Sequence, residues 1–95
     1  MVVVIAHAPG AVAAGTNIDI PDWAPKIREL VAAIKVTLSD ATVAGSIANL
    51  TVVSETPASG QIQLVDENTY KLGDDTTARD LIILVYVAKG EYSGA

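Results

Sequence analysis

Few side chains in this sequence are able to do chemistry, and they gather in two places. His7 is the only histidine, within the apolar segment "VVVIAHA". The second place is acidic: Asp66 and Glu67 lie in "VDENTY", and Asp74, Asp75 and Asp80 surround "TTAR". A histidine base needs a hydroxyl nucleophile within reach and an acid to orient it, and no spacing here sets up that arrangement. His7 therefore reads as a surface or interface histidine, and no catalytic residue is assigned. The chain is expected not to be an enzyme.

Close carboxylates suit a hard cation such as calcium. The order of residues departs from an EF-hand loop, because Gly73 precedes the acids and no glutamate closes the series. Solvated turn residues are the plainer reading, with Arg79 available to neutralise one of them. Paired carboxylates also serve glycoside hydrolysis, but a sugar cleft wants aromatic walls, and one Trp with three Tyr is thin material. Trp23, between Pro21 and Pro25, reads as an anchor holding a loop against the core. Asn49-Leu50-Thr51 matches the glycosylation acceptor pattern, which without a secretory signal is a chance match. "APGAVAAG" spaces its glycines too widely for a dinucleotide fingerprint and lacks the lysine of a phosphate loop. No cofactor and no metal are expected.

Composition removes further classes. Cysteine is absent, which excludes disulfides, zinc–thiolate sites and thiol catalysis. Six Lys and Arg against eleven Asp and Glu leave a net charge of −5. The basic residues are scattered, so neither a nucleic-acid backbone nor a membrane surface is an expected partner. "MVVVIAHAPG" has too short an apolar run, and no positive residues ahead of it, for a signal peptide. No segment reaches the roughly 18–20 apolar residues that span a bilayer. Synthesis in the cytosol without a signal peptide is the expectation.

The elements that would position these residues are strands. Val2–Ala8 is β-branched and closes at Pro9-Gly10. Thr16–Ile20 places Ile18 and Ile20 on one face before Pro21. Ala33–Ser39 alternates, with Ile34, Val36 and Leu38 opposite Lys35, Thr37 and Ser39. Ile47–Glu55 is a further strand stopping at Pro57. "GQIQLV" and "TYKLG" flank Asp66-Glu67-Asn68 as a hairpin whose three-residue loop would use Asn68 in a left-handed conformation. Asp80–Lys89 is the last strand. One segment is ambiguous. Trp23, Ile27, Leu30, Val31, Ile34 and Leu38 fit helical spacing, with Asp22 as cap, whereas Leu30, Ala32, Ile34, Val36 and Leu38 fit a strand. A short helix or turn near residues 24–32 running into a strand is favoured. The expected class is mainly β, a small antiparallel β-sandwich or barrel-like domain with at most one short helix. Residues 1–95 make one domain, with 1–10 as an interaction arm and 91–95 as a loose tail.

The apolar content is high for so small a chain: 51% of residues are hydrophobic and mean hydropathy is +0.41. It concentrates in "LIILVYVA", which is apolar on both faces. Leu81, Ile83, Val85 and Val87 fall on one face; Ile82, Leu84, Tyr86 and Ala88 fall on the other. Burying a large aliphatic side chain is worth roughly 1.5–3 kcal/mol, and soluble monomers rarely leave such a patch wet. A helix at residues 24–32 or a barrel-like wrap could cover the second face internally. A neighbouring subunit is favoured instead, because "MVVVIA" is apolar on both faces too. The interface residues expected are Val2, Val3, Val4, Ile5, Ile82, Leu84 and Tyr86. The partner would be a copy of the chain in a closed cyclic oligomer.

The layout "SETPASGQIQLVDENTYKLGDDTTARDLIILVYVAKGEY" resembles the C-terminal halves of small β-rich tailed-phage virion proteins. There a Pro/Gly turn leads into a hairpin, a polar "D-T-T-x-x-D" turn and an aliphatic strand closing at "Y-x-x-x-G". The matching residues are Pro57, Gly60, Ile62, Leu64, Leu72, Asp75, Asp80, Leu81, Leu84, Tyr86 and Gly90. The resemblance implies a capsid decoration (cement) protein located in the virion. Such a protein forms a cyclic oligomer, often a trimer, and locks neighbouring copies of the major capsid protein together. "PDWAPKIREL" has no counterpart in that pattern. Against this stands a second class, a small ligand- or calcium-binding β-domain using Asp66, Glu67, Asp74, Asp75 and Asp80.

Overall fold

A computed structural model describes residues 1–90, and the tail expected at 91–95 lies outside the described residues. The chain forms β1 (Val2–His7), β2 (Asn17–Asp19), β3 (Ile27–Thr37), β4 (Ser46–Val53), β5 (Gln61–Asp66), β6 (Thr69–Leu72) and β7 (Asp80–Ala88). These make one seven-stranded sheet in the order β1-β7-β3-β4-β5-β6-β2. It curls into a half-barrel, with no helix among the described residues. The mainly β class expected from sequence is what the chain adopts. One pairing departs from the antiparallel rule. β4 and β5 run parallel over Thr51–Val53 and Gln61–Gln63, because the connection through buried Pro57 doubles back to the rung it left.

The helical option near residues 24–32 is not taken. A turn at Asp22–Trp23 leads instead into β3, which starts at Ile27. Its register with β7 slips between Ile27 and Glu29 and again between Leu30 and Ala32. Arg28 and Val31 are the extra residues, both exposed. A bulge adds a residue and bends the strand, and two of them in one strand help the sheet to curl. They also space the buried residues Ile27, Leu30 and Ala33 three apart.

The hairpin β5–β6 forms as expected but with a tighter end. Asp66 pairs with Thr69 after a register shift near Val65, and among the described residues none other than glycine has positive φ. Asp66 instead accepts a bond from the Asn68 amide at 2.8 Å, an Asx turn that spares Asn68 the left-handed region.

The core lies inside the curl. Ile5, Ile18, Ile20, Ile27, Leu30, Ile62, Tyr70, Leu72, Ile82, Leu84 and Tyr86 form one buried cluster. The molecule measures 50 × 25 × 19 Å, and 19 Å holds two sheet layers about 10 Å apart and no third. Side chains close the open side of the curl: His7 on β1 meets Tyr70 on β6 at 2.8 Å. Gly73 allows a further close approach, since a Cβ there would sit 1.7 Å from the Ala58 carbonyl oxygen.

Candidate functional site

Pairing fixes which side of β7 is interior. Ile82, Leu84 and Tyr86 are opposite His7, Ile5 and Val3 of β1, and all three are 0% exposed. The Tyr86 hydroxyl donates to the Pro25 carbonyl, which satisfies its one polar atom inside the core. The expectation that Ile82, Leu84 and Tyr86 meet a neighbour is therefore corrected: they belong to this chain's own core. Ile5 is buried with them and Val3 is half-buried against the cluster. Of the expected contact residues, Val2 and Val4 stand outside, 65% and 64% exposed.

The uncovered face is the opposite one. Val2 pairs with Val87, Val4 with Val85 and Ala6 with Ile83. On the other side of β7, Ala32, Ile34 and Val36 pair with Val85, Ile83 and Leu81. Ile47 follows beside Val36 on β4 and is 75% exposed. Residues paired across strands share a face, so these side chains form one apolar surface over β1, β7, β3 and β4. Glu29, opposite Val87, is the ionisable side chain at its margin. The outer side chains of β7, Leu81, Ile83, Val85 and Val87, are only half-buried. The apolar pattern of β7 does not by itself distinguish the two sides, because both are apolar, Tyr86 being the one aromatic among them; the inward bend of β3 decides between them.

The acidic residues do not converge. Asp66 caps the hairpin, and Glu67 pairs with Lys26 at 3.2 Å and Lys89 at 2.6 Å. Asp74 accepts from the Gly60 amide and the Ser59 hydroxyl, each at 2.7 Å, and the amide above all holds its carboxyl below the usual range. Asp75 accepts from the Ala14 amide at 2.8 Å. Asp80, almost fully buried, accepts from the Thr37 hydroxyl at 2.6 Å and the Thr77 amide at 2.7 Å. Burial pushes its pKa up, but the Thr37 and Thr77 bonds and the Lys35 charge outweigh it and leave the carboxyl below its usual value. Among the described residues no group of three or more His, Cys, Asp or Glu could hold a metal ion. Arg79 does neutralise an acid, but it is Asp40, at 3.0 Å.

His7 was expected at the surface or at an interface. It is half-buried on the inner face beside Tyr70, and burial lowers its pKa. Trp23 is not a core anchor; it is 69% exposed. The fold turns Ile20 and Ile27 inward on either side of it and leaves the indole in solvent. A groove of about 440 Å³ nearby is lined by Asp19, Asp22, Lys26, Asn68 and Thr69, but Asp19 is held by the Thr69 hydroxyl at 3.0 Å and Lys26 by Asn68 and Glu67. Comparison with family models, curated proteins and solved structures returns no match.

Proposed function

We propose that this chain is a non-enzymatic structural protein that assembles with copies of itself through the outer face of β1, β7, β3 and β4. The observation carrying this reading is the uncharged apolar surface that no other part of the described chain covers. Val2, Val4, Val31 and Ile47 are each more than half exposed. At roughly 1.5–3 kcal/mol for each large aliphatic side chain, covering them is worth on the order of 5–10 kcal/mol per copy. That is comparable with the ~4–15 kcal/mol of lost freedom that association must offset.

In its finer form the proposal is a virion protein of the capsid decoration type. It would be made in the cytoplasm and bound on a phage head as a closed homo-oligomer against the major capsid protein. This part rests on the residue pattern from Ser54 to Tyr92, which suggests a trimer. Light scattering and native mass spectrometry at micromolar concentration test the assembly. A multiple of the 9.8 kDa chain mass is expected, and Ile47→Lys should weaken it at least tenfold. A fully soluble monomer at that concentration sinks the proposal. Melting should be unchanged between excess calcium and chelator; a calcium-dependent rise would move the reading to a cation-binding domain.

A further inference from the structure

The outer face has a companion feature, the β1 edge. β1 and β2 are the two edges of the sheet. In antiparallel pairs, alternate residues exchange both backbone bonds with the partner strand. The Ala88 amide donates to the Met1 carbonyl, so the alternation gives Val3, Ile5 and His7 bonded positions opposite Tyr86, Leu84 and Ile82. The amides and carbonyls of Val2, Val4 and Ala6 then point away from β7. Among the described residues, none of them meets another backbone group in a turn, loop or cap.

Proteins blunt such edges with proline, charge, a bulge or shortness. β2 has only three residues, and a proline follows each edge strand after one intervening residue, Pro21 after β2 and Pro9 after β1. β1 is six residues long and has none of these devices within the strand: its register with β7 is unbroken from Val2 to His7, and no proline or charged side chain precedes His7. Charge also selects the partner. Copies of a chain carrying −5 repel one another least when they meet at the surface farthest from their acids. Asp19, Asp22, Asp66 and Glu67 lie around β2 and the β5–β6 hairpin, at the far edge of the sheet. The outward residues of β1, Val2, Val4 and Ala6, and the outer side of β7 carry no acid or base.

We infer that β1 pairs antiparallel with β1 of a second copy, about a twofold axis at Val4. Val4 lies opposite the partner's Val4, and Val2 opposite the partner's Ala6, each pair exchanging both outward backbone bonds. The inference rests on the assembly proposal and adds a second contact with its symmetry and register: edge pairing continues the sheet, and it leaves the outer faces of both copies side by side for further copies to cover. The twofold makes the unit a dimer, in place of the trimer suggested by the residue pattern.

The test uses the full chain, Val4→Pro and Ile47→Lys. Proline at position 4 removes an amide hydrogen that is unused in the single chain, and edge strands tolerate it there. Native mass spectrometry should find wild-type dimers, or even-numbered assemblies of them. Val4→Pro should weaken the dimer at least tenfold while circular dichroism still shows the sheet. Hydrogen exchange on the wild type reads the edge without any substitution: the Val4 and Ala6 amides should slow as concentration rises, while Val3 and Ile5 stay protected throughout. Free exchange at Val4 and Ala6 where an oligomer has formed, or a trimer, overturns the edge inference. If Ile47→Lys still disrupts that oligomer, the outer-face proposal survives alone. A wild-type monomer at micromolar concentration removes both.

Discussion

His7 is the one side chain with a free pKa near neutrality, and the fold puts it where protonation is unfavourable. Burial lowers its pKa from 6.5, so the folded chain prefers the neutral imidazole that meets Tyr70. Its contribution to stability is complete above pH 6.5. As the pH falls below that value the unfolded chain takes up the proton first, and stability declines until the lower folded-state pKa is passed. His7→Gln keeps a polar partner for Tyr70 and removes the titration. The loss of melting temperature between about pH 7 and pH 5 should therefore shrink in that variant. The steeper loss below about pH 4 should persist, because Asp74 and Asp80 have depressed pKa values and lose their contribution only as they protonate. An unchanged profile above pH 5 would remove His7 from this role. The sequence showed a lone histidine in an apolar strand, but not its partner, which lies sixty-three residues away in the chain.

β3 explains why a strand resembled a helix. Two bulges place Ile27, Leu30 and Ala33 on one side, and a spacing of three lies closer to the helical period of 3.6 than to the strand period of 2. Periodicity assumes an unbroken ladder, so a bulged strand imitates an amphipathic helix. The two arrangements differ at neighbouring positions. On a helical stripe both Leu30 and Val31 face the core. In the bulged strand Leu30 is buried, and Val31 is the extra residue, 55% exposed. Leu30→Ala should cost about 2–5 kcal/mol in urea unfolding, whereas Val31→Ala should stay within about 0.5 kcal/mol. Equal losses would contradict the bulge. β1, β2, β4 and β7 were legible because none of them carries a bulge of its own, and the β5–β6 hairpin because its polar turn interrupts two alternating runs.

At the scale of the molecule, charge and apolar surface are separated. Apart from Glu29 at the margin of the outer face and buried Asp80, the acids lie around the β2 edge and the loops, and the aliphatic outer face spreads over β1, β7, β3 and β4. Two copies meeting through that face still carry like net charge, so screening should favour association. The association constant measured by sedimentation should rise as salt goes from low concentration to about 0.15 M, where the Debye length is about 8 Å. A constant that falls with salt would point to an ionic contact and away from the apolar face. Trp23 stands apart from this surface, in solvent between its two prolines.

By itself, the sequence determined a cysteine-free, acidic, mainly β chain, with its strands and hairpin in nearly the right places. It also showed a last strand apolar on both sides, because composition and alternation are local properties. Only the tertiary structure decided which side faces in. Ile82, Leu84 and Tyr86 went to this chain's own core, and Leu81, Ile83, Val85 and Val87 were left to the outer face. That choice follows from the bends in β3 and the closure of His7 on Tyr70. Both depend on contacts between residues far apart in the chain, which no local pattern encodes.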